Sequence, residues 1–91
     1  MEKLELQIQE QLKVLVPKAK NIELRATVSD SSYAIEFIAE VDGKKMQCYD
    51  MADNGLIDED ELNRILAEIS DDIRKDASYK KGEVNKLSFT F

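Results

Sequence analysis

The sequence predicts an α+β fold in which an antiparallel four-stranded sheet carries two helices packed on one face, in the order α-β-β-β-α-β. Apolar residues recur every three or four positions near the start of the chain and again after residue 60, as on the buried side of a helix. Between these segments, and again at the end, they alternate every second position, as in a strand with one wet face. The 91 residues are expected to form a single domain, residues 1–91.

The first helix is predicted from about Glu2 to Val16. Pro17 should end it, because proline cannot donate the next helical hydrogen bond and disfavours helical angles at the residue before it. One face of this helix is apolar at helical spacing, through Leu4, Ile8, Leu12 and Leu15.

Three strands are predicted next. Residues Ile22–Val28 alternate between apolar and polar, a serine-rich turn spans 29–32, and Tyr33–Val41 alternate in the same way. The dipeptide Asp42-Gly43 favours a two-residue hairpin turn, because its positive backbone angles match the twist of paired strands. A third strand is therefore predicted from about Lys44 to Asp50.

A second helix and a last strand complete the predicted fold. Asp58 and Glu61 have the spacing of a helix N-cap and its capping box, in which each side chain accepts a backbone N–H. The apolar stripe of the helix that follows is Leu62, Ile65, Leu66, Ile69 and Ile73. After a break at residues 80–82, the last strand is predicted from Val84, Leu87, Phe89 and Phe91.

The stretch DMADNGLIDEDE, Asp50 to Glu61, nearly matches a calcium-binding EF-hand loop. Only Ala52, at the third loop position, breaks the pattern. An EF-hand needs a helix on both sides of its loop, whereas a strand is predicted before Asp50, and Glu61 is already explained as a capping residue. A strand exit followed by a helix cap is therefore the preferred interpretation. A calcium-binding module that uses Asp50, Asn54, Asp58 and Glu61 is the alternative.

Charge and composition narrow the classes of function. The net charge is −6, and nine acids face a single base, Arg64, between residues 50 and 72. Such a field repels phosphate, so we expect no nucleic-acid binding and attraction of a basic protein partner. The chain has no histidine, the usual general base and commonest transition-metal ligand, so we expect no enzymatic activity, no cofactor and no metal. No apolar run is long enough for a membrane span, and we expect no membrane partner.

Cys48 is the only cysteine, so it cannot form an internal disulfide, and the first residues show no signal-peptide pattern. Both observations favour a reducing cytoplasm. Cys48 itself is predicted to be a small core residue on the third strand.

The acids that fall outside the apolar stripe of the second helix, with one acid of the preceding loop, are the predicted partner-binding residues. Ordinary solvation of an exposed helix face is the alternative for any one of them. The set is Asp53, Glu59, Asp60, Glu68, Asp71 and Asp72.

The order of elements, the segment SSYAIEFIAEVDGKKMQCYD and the closing LSFTF resemble the YezG-like antitoxin and immunity proteins, small bacterial proteins encoded beside secreted or contact-delivered toxins. The resemblance implies a non-catalytic protein that binds and neutralises a cognate toxin. Many such toxins would be nucleases with a basic groove, which an acidic inhibitor can occupy. A structural or adaptor domain whose partner is neither toxic nor basic is a further alternative.

Overall fold

The computed structural model describes residues 2–91 and confirms the α+β class, with its four-stranded antiparallel sheet. The strands lie in the order β3-β2-β1-β4, so β3 and β4 form the two edges. One short helix, α2, is added to the predicted set. The elements are α1 (Glu2–Leu15), β1 (Lys20–Val28), β2 (Tyr33–Val41), β3 (Lys44–Gln47), α2 (Cys48–Asp53), α3 (Glu59–Lys75) and β4 (Asn85–Thr90).

The core lies between one face of the sheet and the helices. Alternate residues of β1 and β2 are buried, and the intervening ones, such as Arg25 and Glu36, are exposed on the open face. The predicted apolar stripes of α1 and α3 are buried against the sheet, as expected from their spacing. Phe37, at the centre of β2, is fully buried.

The hairpin between β2 and β3 has the turn that the sequence predicts. Asp42 has a φ of 51° and Gly43 a φ of 78°, so both central residues are in the left-handed region. Such a turn matches the right-handed twist of the flanking strands. The prediction of a tight turn at Asp42-Gly43 is confirmed.

The predicted third strand, Lys44–Asp50, is wrong beyond Gln47, because the chain enters α2 there. The Oε1 atom of Gln47 accepts the backbone N–H of Tyr49 at 3.1 Å and so caps the new helix. Cys48 and Met51, three positions apart, are both buried, as helical spacing allows and strand alternation does not. Cys48 is a core residue as predicted, but it lies on a helix.

Helix α2 also covers the part of β2 that β3 leaves unpaired. β3 is so short that it pairs only with residues 38–41 of β2. Beyond that point, the Tyr49 hydroxyl donates to the Ile35 carbonyl at 3.1 Å, and the Cys48 side chain is fully buried in the core. Helix α2 thus covers the part of the β2 edge that β3 does not reach.

The serine-rich turn between β1 and β2 is held to the C-terminal half of the chain. Arg74 of α3 donates to the carbonyl of Ser29 at 2.9 Å and to that of Ser32 at 3.1 Å. The carboxylate of Asp30, in the same turn, accepts the Tyr79 hydroxyl at 2.5 Å and the Gly82 amide at 2.9 Å. These contacts connect residues more than 40 positions apart in sequence.

The last strand begins one residue later than predicted, at Asn85, and its backbone pairing with β1 extends to Phe91. Val84 precedes β4 and is exposed, whereas Leu87 and Phe89 pack in or against the core. Phe91 exchanges two backbone hydrogen bonds with Ile22, at 2.8 and 3.0 Å, so the pairing with β1 extends past Thr90.

Candidate functional site

The acidic segment begins where α2 ends in a glycine-dependent cap. Gly55 has a φ of 74°; its N–H donates to the Ala52 carbonyl, and the Leu56 N–H donates to the Met51 carbonyl. These two bonds define a Schellman motif, which needs a residue in the left-handed conformation at the position that Gly55 occupies. The Asn-Gly pair in the EF-hand-like string therefore ends a helix.

The same segment does not gather carboxylates around a common point. Asp50 lies inside α2, where its carbonyl accepts the Asn54 N–H at 3.0 Å, so the first loop ligand of an EF-hand would be part of a helix. Among residues 2–91, no group of three or more cysteine, aspartate or glutamate side chains is arranged to hold a metal ion. The flanking helix that the sequence analysis did not expect is present, but it runs too far into the loop.

Helix α3 begins with the predicted N-cap but with only half of the predicted capping box. The Asp58 carboxylate accepts the Glu61 N–H at 3.0 Å. The Glu61 carboxylate contacts Arg64 at 3.4 Å instead of turning back to the cap residue. The expectation that both side chains accept a backbone N–H is confirmed for Asp58, and the structure pairs Glu61 with Arg64.

Three of the six predicted partner-binding acids are free of intramolecular partners. Asp53 ends α2, and Glu59 and Asp60 form the first turn of α3. All three are exposed, and within residues 2–91 their carboxylates make no hydrogen bond or ion pair. They lie within a few residues of exposed Asp50 and Asp58, so the negative charge is concentrated at the α2–α3 connection.

The other three acids are already engaged. Glu68 pairs with Arg64 at 2.7 Å, and Asp71 pairs with Arg74 at 3.3 Å. Asp72 accepts the Gln11 side chain at 3.0 Å, which joins α3 to α1. The structure thus places five of the six residues on α3, whereas Asp53, which was predicted in the preceding loop, ends α2. Arginines neighbour Glu68 and Asp71, but Asp72 keeps its charge, because the Gln11 amide is neutral.

An apolar groove is lined in part by Leu56 and Ile57, which lie in sequence between Asp53 and Glu59. Its volume is about 370 Å³, and it is lined by the end of α1, the end of β2 and the α2–α3 connection, including Leu15, Val41, Met51 and Leu56. Leu56 is 56% exposed, although it is a large apolar residue in the middle of an acidic segment. Side chains of Lys18 and Asp42 contribute charge to the lining.

Sequence reasoning did not find this groove or Leu56. The available signal was the pair Leu56-Ile57 between two groups of acids, because apolar residues in an otherwise acidic loop need either burial or a partner. The groove itself is assembled from three separate segments, within residues 15–19, 41–42 and 51–57, so local patterns do not predict it.

The structure describes the surroundings of Cys48 and of the adjacent acids Asp71 and Asp72. Burial raises the pKa of the Cys48 thiol above its usual value, which disfavours the thiolate, and the side chain is fully buried. Asp71 and Asp72, the adjacent acids that could act as paired carboxylates, have the partners described above.

In comparisons with known proteins, no family model, no curated protein and no solved structure matches the chain. In the part of the chain that the structure describes, no helix is both long enough and apolar enough to cross a membrane.

Proposed function

We propose that the protein is a non-catalytic immunity protein, or antitoxin, that binds and neutralises a cognate bacterial toxin in the cytoplasm. The toxin is a basic protein, in the first instance a nuclease of a secreted or contact-delivered system. Inhibition is steric and electrostatic: the acidic surface covers the groove in which the toxin would bind nucleic acid. The observation that carries the proposal is the coincidence of three unpaired carboxylates with an exposed leucine and an apolar groove.

The charge supplies rate and specificity. Among residues 2–91, no cation pairs with Asp53, Glu59 or Asp60, so a basic partner can bind them without breaking an ion pair there. Complementary fields raise association rates and suppress wrong partners, and the effect weakens with salt. A basic nuclease groove has the required charge, because it must attract phosphates.

The groove supplies packing. Binding energy at protein interfaces is concentrated in a few well-packed apolar or aromatic contacts surrounded by a polar rim. Leu56 and the groove beside it can provide that centre, and the free acids can provide the rim. Glu68 and Asp71 should contribute less, since Arg64 and Arg74 already compensate their charge.

The test begins with the neighbouring gene. Its product is co-expressed with this protein, and binding is measured by calorimetry and by surface plasmon resonance at several salt concentrations. We expect a basic partner whose association slows with salt. The variant Asp53→Asn/Glu59→Gln/Asp60→Asn should weaken binding by about tenfold or more, since each lost charge contact is worth on the order of 0.5–1 kcal/mol.

A matched control removes three exposed acids from α1. Glu2→Gln/Glu5→Gln/Glu10→Gln changes the net charge by the same amount but leaves the α2–α3 connection intact. We expect it to bind within about threefold of the wild type. Equal weakening by the two triple variants, or a neutral or acidic partner, would contradict the proposal and favour an adaptor domain.

Calcium binding is separated by a second measurement. Millimolar calcium is added in the calorimeter and in a thermal melt; a bound ion would give heat and a higher melting temperature. Because Asp50 is helical and Glu61 pairs with Arg64, we expect neither. Heat together with stabilisation that disappears in Glu61→Gln would identify a calcium module instead.

A further inference from the structure

The two edges of the sheet differ in how far the backbone groups of the edge strands are covered. At one edge the short β3 covers only part of β2, and α2 covers the rest, with the Tyr49 hydroxyl donating to the Ile35 carbonyl. The other edge is β4, Asn85–Thr90, which pairs with β1 on one side only. It contains no proline and one charged side chain, Lys86, so it lacks most of the devices that usually protect an edge.

The pairing with β1 determines which backbone groups of β4 are free. Phe91 exchanges both of its backbone hydrogen bonds with Ile22, so this is a hydrogen-bonded pair of the antiparallel ladder. Such pairs recur every second residue; the next along β4 are those of Phe89, Leu87 and Asn85. The N–H and C=O groups of Lys86, Ser88 and Thr90 therefore point away from β1, and within residues 2–91 no strand or side chain meets them.

We propose that β4 pairs with β4 of a second copy of this chain, antiparallel, about a two-fold axis at Ser88. Ser88 then faces Ser88 of the second copy, and Lys86 faces Thr90 of the second copy, in both directions. All three outward-facing residues become hydrogen-bonded pairs, so every free backbone group of the edge is used. The product is one continuous sheet through both copies.

Side chains on the open face agree with this register. Thr90 is paired with Glu23 of β1, and Glu23 is exposed with no hydrogen bond or ion pair within residues 2–91. In the dimer, Lys86 of one copy therefore lies two strands from Glu23 of the other, roughly 10 Å between backbones. Their long side chains can meet above the small Thr90 that lies between them. The two-fold axis produces this contact twice. Within one copy, Lys86 and Glu23 cannot meet, because Lys86 pairs with Thr27, four residues along β1 from Glu23.

Apolar side chains on the other face agree as well. Leu87 of one copy faces Phe89 of the other, a non-hydrogen-bonded pair in which side chains approach closely. Leu87 is half-buried, so the second copy would complete its burial. Serine at the axis leaves room for the two backbones.

The dimer goes beyond the proposed function and does not depend on it. Helix α2 contacts β2 and β3, on the far side of the sheet order from β4. Pairing through β4 thus leaves Asp53, Glu59 and Asp60 available to another partner.

The first test is mass in solution. Sedimentation and light scattering of the full chain, from micromolar to near-millimolar concentration, should show a species of twice 10.4 kDa that dissociates on dilution. Ser88→Pro removes the N–H at the axis without removing a bond to β1, because that N–H points outward, and proline is tolerated at such edge positions. We expect a monomer, and we expect Ser88→Ala, which keeps the N–H, to remain a dimer.

The second test keeps the inference falsifiable if proline disturbs folding. Lys86→Glu and Glu23→Lys should each weaken the dimer about tenfold, and the double variant Glu23→Lys/Lys86→Glu should recover most of the loss. Hydrogen exchange by NMR should show the amides of Lys86, Ser88 and Thr90 protected at high concentration and exchanging fast on dilution. A monomer at every concentration, a dimer unaffected by the charge reversals, or unprotected amides in the dimer would overturn the β4 pairing.

Discussion

Replacement of Arg74 by alanine should destabilise the fold far more than the same replacement at Arg64, although both arginines lie on α3. Arg74 donates to the carbonyls of Ser29 and Ser32 and so ties the β1–β2 turn to the helix. Its side chain is 26% exposed, compared with 57% for Arg64. Within residues 2–91, the ion pairs of Arg64 are limited to Glu61 and Glu68 of its own helix.

The magnitude follows from these contacts. Hydrogen bonds that involve a charged donor contribute about 1.5–3 kcal/mol each, and less where water can replace the donor. The carbonyl of Ser32 keeps the backbone N–H of Ser29 as a donor at 2.9 Å, so the carbonyl of Ser29 suffers the greater loss. We therefore expect Arg74→Ala to lower the free energy of unfolding by about 2 kcal/mol, or the melting temperature by roughly 8–16 °C in a domain of this size.

Urea unfolding followed by circular dichroism measures the difference between the two variants. Arg64→Ala should cost about 0.5–1 kcal/mol or less, since exposed ion pairs on one helix are weak. Arg74→Lys keeps the charge but loses the planar fork, so its cost should lie between that of Arg74→Ala and the wild type. If Arg74→Ala and Arg64→Ala shift the urea midpoint equally, the clamp on the serine-rich turn does not stabilise the protein and the reasoning is refuted.

Three further measurements test single contacts. Asp58→Ala should lower the free energy of unfolding by about 1 kcal/mol in urea unfolding, because it removes the helix cap, whereas Glu61→Ala should lower it by only a few tenths of a kcal/mol. Equal losses would show that Glu61 completes the capping box. Hydrogen bonds from the Tyr79 hydroxyl and, to a smaller extent, from the Gly82 amide lower the pKa of Asp30. The ionised Asp30 therefore stabilises the fold fully above the usual carboxyl pKa, and this stabilisation is lost as the pH falls through the lowered pKa of the folded protein. Tyr79→Phe should raise that pKa in a carbon-13 NMR titration, and an unchanged value would contradict the contact. Cys48, buried and with a raised pKa, should react with a thiol reagent at neutral pH only as fast as α2 opens, and rapid modification of the native protein would show that the β2 edge is not covered.

Local periodicity was sufficient to predict most of the architecture, because α1, β1, β2 and α3 each contain several repeats of their pattern. Helix α2 was not predicted, since six residues hold barely more than one turn and Met46 and Cys48 alternate as in a strand. The signal for a helix was present in the three-residue spacing of Cys48 and Met51 and in the glycine that closes the C-terminus.

The candidate site shows the same limit. The pairs of Arg64 with Glu68 and of Arg74 with Asp71 follow from i,i+4 and i,i+3 spacing and could have been deduced from the sequence. The contact of Asp72 with Gln11 could not, because 61 positions separate the two residues. Which acids of this surface are free and which are engaged therefore depends on tertiary packing as well as on charge pattern.

Helix α2 explains why an EF-hand-like string, a closed sheet edge and an acidic surface occur at one place. Its first residues must reach back over β2, because β3 is too short to pair with that strand along its whole length. Its last residues must then stop abruptly so that α3 can lie on the sheet, and Asn54-Gly55 provides that stop. The residues around this connection, such as Asp53 and Asp58, are exposed, so packing does not prevent them from being acidic. Among residues 2–91, no helix or side chain covers the β4 edge in this way, so the backbone groups of that edge can pair with another chain.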